Sequence, residues 1–187
     1  TPAVIEKEAV IPEDATTFKL SYTQSDSLDP LKCTTLNNQV LSQLVFEPLF
    51  KLDENFKASL NIASSYEYTD SETLKVGITL GIKYSNGSAL MADDVVSSCN
   101  AAKESAFWGN SLAGISSCSK SSDSEIVFHL AYPNSYAHNL LVFPIESRKP
   151  DGDYPVGSGR YYFANENGET VLKANTASDF APHLTVI

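Results

Sequence analysis

Four sets of residues in this chain are of types that do chemistry. They are the adjacent carboxylates Asp93 and Asp94, the histidines His129, His138 and His183, the run Gly157-Ser158-Gly159, and the cysteines Cys33, Cys99 and Cys118. Two carboxylates can flank a scissile bond as acid and base, but neighbours on a helix point about 100° apart and cannot do so. Carboxylates at the start of a helix are instead favoured by the positive end of its dipole. The histidines are widely spaced and lack the His-x-x-x-His pattern that sets two imidazoles on one helix face. His129 falls on the opposite strand face from Phe128, as an ordinary surface or hydrogen-bonded histidine does. Gly157-Ser158-Gly159 lacks the Lys-Ser/Thr of a phosphate loop, and no helix follows it. Ser158 is not in a Gly-x-Ser-x-Gly elbow. Cys33 has no histidine close in sequence to activate a thiolate. With no nucleophile, base and orienting group in one pattern, the chain reads as a non-enzyme without cofactor or metal.

The elements that carry these residues follow from periodicity and punctuation. In residues 79–96, Thr79, Gly81 and Lys83 alternate with Leu80, Ile82 and Tyr84, the period of a half-buried strand. Asn86-Gly87 supplies the positive φ angles of a tight turn. A helix spans 92–105. A second helix is expected over 34–44, with Leu36, Val40, Leu41 and Leu44 on one face, and a short one over 134–141. Strands are expected at 17–23 and 45–52. A hairpin joins 65–69 to 73–79, 116–119 pairs with 125–130, and a last hairpin joins 160–164 to 170–174. Residues 25–32 form a loop. Residues 144–155, rich in Pro, Gly and charge, mark a crossing or boundary.

The chain has 187 residues, 42% hydrophobic and 10% aromatic, which suits a folded protein of one domain or two small ones. Its net charge of −10 argues against nucleic acid, whose phosphates require a cationic surface, and against anionic lipid. No apolar run approaches the ~20 residues of a membrane span.

These segments resemble the extracellular solute-binding proteins of the peptide/nickel class, family 5, which capture ligands for ABC importers. In 79–96 the matching residues are Leu80, Ile82, Lys83, Tyr84, Gly87, Leu90, Ala92, Asp94 and Val95. Phe18-Lys19-Leu20-Ser21-Tyr22 is similar to the family's first strand, and Ser27-Leu28-Asp29-Pro30 to its Leu-Asp-Pro loop. Val45-Phe46-Glu47-Pro48-Leu49-Phe50 and Pro155-Val156-Gly157-Ser158-Gly159-Arg160-Tyr161 match two further segments in the expected order. Gly81 stands where the family has Arg, Asn86 where it has Asp, Arg160 where it has Pro, and Met91 where it has a capping Thr. The lost cap costs about 1 kcal/mol locally.

The resemblance implies an α/β fold with mixed sheets, the first lobe of a type II periplasmic-binding-protein-like fold, with the second lobe absent from this chain. It implies a flexible N-terminal tether at 1–14, left by a removed lipid anchor, although a frayed terminus accounts for it equally. A hinge-side subdomain at 15–43 and 147–187 and an inserted α/β subdomain at 44–146 complete the division. The implied function is the substrate-binding component of an ABC importer. It takes an oligopeptide or similar small solute outside the membrane by two-lobe closure and delivers it to a permease. The protein would be a cell-surface lipoprotein or periplasmic, with no nucleic-acid partner. The alternative is a stand-alone extracellular interaction domain that reuses the lobe fold. By the same resemblance Asp29, Leu31, Lys32, Cys33 and Thr34 line the cleft, with Trp108 and Asn110 as a second group, although Trp108 fits equally as a packed aromatic under a loop. Cys99 and Cys118 fall at positions the family fills with apolar residues, on a helix and the following strand. They read either as a disulfide or as two small buried thiols.

Overall fold

A computed structural model describes residues 19–149 and 151–176. The expected tether, the start of the first strand and His183 lie outside the described residues. Helix α1 (Leu36–Val45) is followed by β1 (Glu47–Pro48), β2 (Phe50–Leu52), β3 (Ala58–Leu60), β4 (Ala63–Asp70) and β5 (Thr73–Ile78). Helix α2 (Ala92–Glu104), β6 (Ile115–Ser122), β7 (Glu125–Leu130), a 3-10 turn (Ala137–Leu140), β8 (Pro144–Ile145), β9 (Tyr161–Glu166) and β10 (Glu169–Ala174) complete the order.

The main sheet has the order β4-β5-β7-β6, and all its pairs are antiparallel. Alternate residues of β5 and β7 (Leu74, Val76, Ile78; Ile126, Phe128, Leu130) face one side and are buried. Against them α2 sets Ala92, Val95, Cys99 and Ala102, the i, i+3, i+7, i+10 stripe of a helix with one apolar face. Each large side chain fully buried there contributes about 1.5–3 kcal/mol. The short pairs β1–β8 and β2–β3 extend this core. A second, smaller core joins Leu41, Val45 and Phe46 to Tyr161, Phe163 and Leu172 of the β9–β10 hairpin.

Four expectations are corrected. Residues 19–23 form no strand; a side-chain amide takes the place of a ladder, Thr23 N–H donating to Asn38 Oδ1 at 2.8 Å and Asn38 Nδ2 to the Thr23 carbonyl at 3.1 Å. The β5 strand ends at Ile78, and the chain turns through Gly81 at φ +95°, leaving Leu80 exposed while Ile82 and Tyr84 stay buried. Only Gly87 of Asn86-Gly87 takes a positive φ. Tyr84 pairs with Ser88 around a three-residue loop that ends in the left-handed glycine. The fourth correction concerns the α1 face: Leu36 is 70% and Val40 52% exposed, whereas Asn38, Gln39, Leu41, Ser42 and Val45 are buried.

The remaining motifs have structural roles. Asp94 accepts the Met91 N–H at 3.0 Å, replacing part of the missing cap, and pairs with Arg148 Nε at 3.3 Å. Asp93 pairs with Lys120 at 2.8 Å. Gly157 and Gly159 lie against the end of α1. A Cβ on Gly157 would sit 1.9 Å from the Val45 carbonyl oxygen, and Gly159 N–H donates to that oxygen at 2.8 Å. The run is a close backbone contact, not an anion cradle.

Candidate functional site

The loop that leads into α1 is held by its own carboxylates. Asp26 accepts the Thr34 N–H at 2.9 Å, the Thr35 N–H at 2.8 Å and the Thr35 hydroxyl at 2.7 Å. These bonds, the Thr35 hydroxyl first, hold its carboxyl down at about 2. Asp29 accepts the Leu31 N–H at 2.9 Å on one oxygen and the Lys32 ammonium at 2.6 Å on the other. The buried polar residues of α1 complete the loop. Gln39 Nε2 donates to the carbonyls of Pro30 and Cys33, both at 3.2 Å, and Asn38 Nδ2 to that of Ser27 at 2.9 Å. Burying these amides is tolerable because each has partners.

The Trp108 indole also donates to the Pro30 carbonyl, at 3.3 Å. The two groups of residues singled out in the sequence, one after Pro30 and one after α2, therefore meet at one carbonyl. Phe107 packs edge-on against Trp108, ring centroids 5.1 Å apart, and remains half exposed.

Two concavities border this loop. An apolar groove of about 480 Å³ is lined by Leu36, Val40, Phe46, Phe107, Trp108 and Val142, among others. A charged cleft of about 630 Å³ holds Asp26, Asp29, Lys32, Glu146, Arg148 and Asp153. Burial in this cleft, then the neighbouring Asp29 carboxylate, pushes the Glu146 carboxyl up to about 7, with Lys32 opposing.

Of the residues expected to line a cleft, Asp29 and Lys32 reach the charged one and Trp108 the apolar groove. Leu31 and Cys33 do not: they are 3% and 1% exposed, turned into the protein beneath the loop. Burial raises the Cys33 thiol to about 11, so it is an inert thiol. Thr34 and Asn110 are exposed but line neither concavity. Sequence reasoning missed Leu36 and Val40 as an exposed apolar surface, and Glu146 altogether; Phe107 belongs to the segment 107–110 that it did single out. One signal was present: Asn38, Gln39 and Ser42 fall on the helix side that the polar loop requires, which forces the apolar residues outward.

The sequence model of the bacterial extracellular solute-binding proteins, family 5 (middle region), matches residues 57–181. The chain belongs to the bacterial extracellular solute-binding proteins of family 5, a family of binding proteins rather than enzymes. It is 23% identical over 160 residues to the oligopeptide-binding protein AppA of Bacillus subtilis, covering 75% of this chain and 30% of that protein. The structure of B. subtilis AppA in complex with a nonapeptide superposes with a TM-score of 0.69 at 25% identity, covering 83% of this chain and 36% of that one. NikA from Staphylococcus aureus in complex with Ni(L-His)2 gives 0.70 at 23% identity, covering 91% and 37%. MoaA from A. tumefaciens R10 in complex with mannopinic acid gives 0.74 at 24%, covering 86% and 37%. The chain thus spans about a third of the length of these relatives, and its mixed α/β fold matches one part of theirs.

Proposed function

We propose that this chain is the first lobe of a two-lobe clamp that captures an oligopeptide or similar small solute outside the membrane and passes it to an ABC-transporter permease. One observation carries the reading. Helix α1 buries Asn38, Gln39 and Ser42 and turns Leu36 and Val40 outward, beside Phe107 and Trp108, around an open groove. An apolar face left in water costs free energy unless something covers it, and pockets for small solutes are lined mainly by apolar and aromatic groups. A solute held between this face and a second lobe is that cover, with closure by hinge motion. The reading keeps a hinge-side piece at 15–43 and 147–187 and an inserted piece at 44–146, joined through the small core in which Val45 and Phe46 meet Tyr161, Phe163 and Leu172. A lipid anchor ahead of residue 1 would keep the clamp at the cell surface.

The test is calorimetric titration of the whole native protein with a pool of synthetic di- to nonapeptides, with nickel–histidine and with mannopinic acid. The reading expects one class to bind, and Trp108→Ala to weaken it about tenfold or more, the loss of one large buried contact. Binding that is unchanged in Trp108→Ala and in Leu36→Ser contradicts the groove as the site. No binding by any class favours the stand-alone interaction domain.

A further inference from the structure

The solute-binding reading leaves Cys99 and Cys118 unused. Cys99 lies on the sheet-facing stripe of α2 and is fully buried. Cys118 lies midway along β6, the strand α2 packs against, and is half-buried. The Cys118 sulfur is 3.8 Å from the Val96 carbonyl and 3.6 Å from Asn100 Oδ1, so it rests on the turn of α2 that presents Cys99. Cys118 lies opposite Phe128 in the β6–β7 ladder and so shares the sheet face that α2 covers; each thiol perturbs the other, Cys99 being pushed up and Cys118 down. Lys103, the next residue along that helix face, spans to β6 through the Ser116 carbonyl at 2.6 Å. Its positive charge favours a thiolate at Cys118. Cys33 belongs to the loop before α1 and takes no part in this contact.

We propose that Cys99 and Cys118, free thiols in this structure, are oxidised in the extracellular protein to a disulfide that staples α2 to β6. The oxidant is a disulfide, of either a small thiol or an oxidoreductase. The Cys118 thiolate attacks one of its sulfurs and expels the other as a thiolate, leaving a mixed disulfide. The Cys99 thiolate then attacks the Cys118 sulfur and expels the second thiolate. The two protons released by the cysteines and the two electrons end on two thiols of the reduced oxidant. Persistence of the bond requires an oxidising compartment, which an extracellular family occupies. The closed loop runs from residue 99 to residue 118 and contains Phe107 and Trp108. The bond therefore anchors both ends of the segment that forms one wall of the groove. It depends on the family's location and not on which solute the groove holds.

The experiment incubates the purified chain with oxidised glutathione, unfolds it in urea, alkylates it with iodoacetamide and maps its peptides. Expected are a single alkylated cysteine, Cys33, and a peptide pair joined through Cys99 and Cys118. After dithiothreitol all three cysteines are alkylated. The joined form should melt about 6–12 °C above the reduced form, as a cross-link over a loop of this length does in a domain of this size. The Cys33→Ser variant should form the same link. Three alkylated cysteines after oxidation, glutathione retained on Cys118, or a link that includes Cys33 overturns the pairing. A joined form that melts with the reduced one overturns the stapling role.

Discussion

Trp108 and Glu146 are the two residues whose surroundings say most, and they differ in how far the sequence reveals them. A lone tryptophan in a Gly/Asn-rich stretch is conspicuous, and the structure places its indole on Pro30 and its ring in the groove wall. Glu146 has no local signal, because its environment is made by Asp29 and Lys32, far away in sequence. Its carboxyl titrates near 7 in the folded protein, against an ordinary 4.5. A raised acid binds its proton more tightly folded than unfolded, so its contribution to stability falls as pH rises from about 4.5 through 7. Glu146→Gln should therefore gain stability relative to the parent between pH 5 and pH 8, seen as a widening gap in urea midpoints. A constant gap contradicts the raised acid. The low Asp26 carboxyl has the opposite sign: its contribution is present above the ordinary aspartate value and fades as pH falls through about 2. Asp26→Ala should loosen the entry to α1, read as faster protease cutting near residue 34.

At the scale of elements, the two central strands of the main sheet and helix α2 were legible because one period ran through each. The alternation of β5 and β7 and the stripe of α2 each face a single core. Helix α1 was legible in place but not in orientation. Leu36, Val40, Leu41 and Leu44 share a helical face on paper, yet Asn38 and Gln39 must reach the carbonyls of Ser27, Pro30 and Cys33, which rotates the helix. Its two sides should respond differently to substitution. Leu41→Ala, in the small core, should cost about 2–4 kcal/mol in denaturant unfolding. Leu36→Ser and Val40→Ser should each change stability by less than about 0.5 kcal/mol, while weakening solute binding. The first strand and the 79–84 strand failed for a different reason: the Asn38 amide replaces a ladder at Thr23, and the left-handed Gly81 turns the chain, and neither has a period. Gly157→Ala should cost about 2–4 kcal/mol, since the added methyl meets the Val45 carbonyl with no room to yield.

At the scale of the whole molecule, four segments in order were enough to show the family, whereas the site was only partly visible. Leu31 and Cys33 sit beside Asp29 in sequence but turn inward, because a tight loop alternates its side chains between core and solvent. The groove is assembled from α1, the turn after α2 and the approach to β8, which no local pattern links. The groove also makes sense only with something over it, and the relatives that share the fold are about three times as long as the part they share. The most direct measurement is native mass spectrometry of the protein as secreted by its source cells, before and after mild unfolding. The clamp account predicts a chain well over twice 20.3 kDa carrying a releasable small solute, and loss of that solute in Trp108→Ala. A secreted chain of about 20.3 kDa without a bound solute would contradict it.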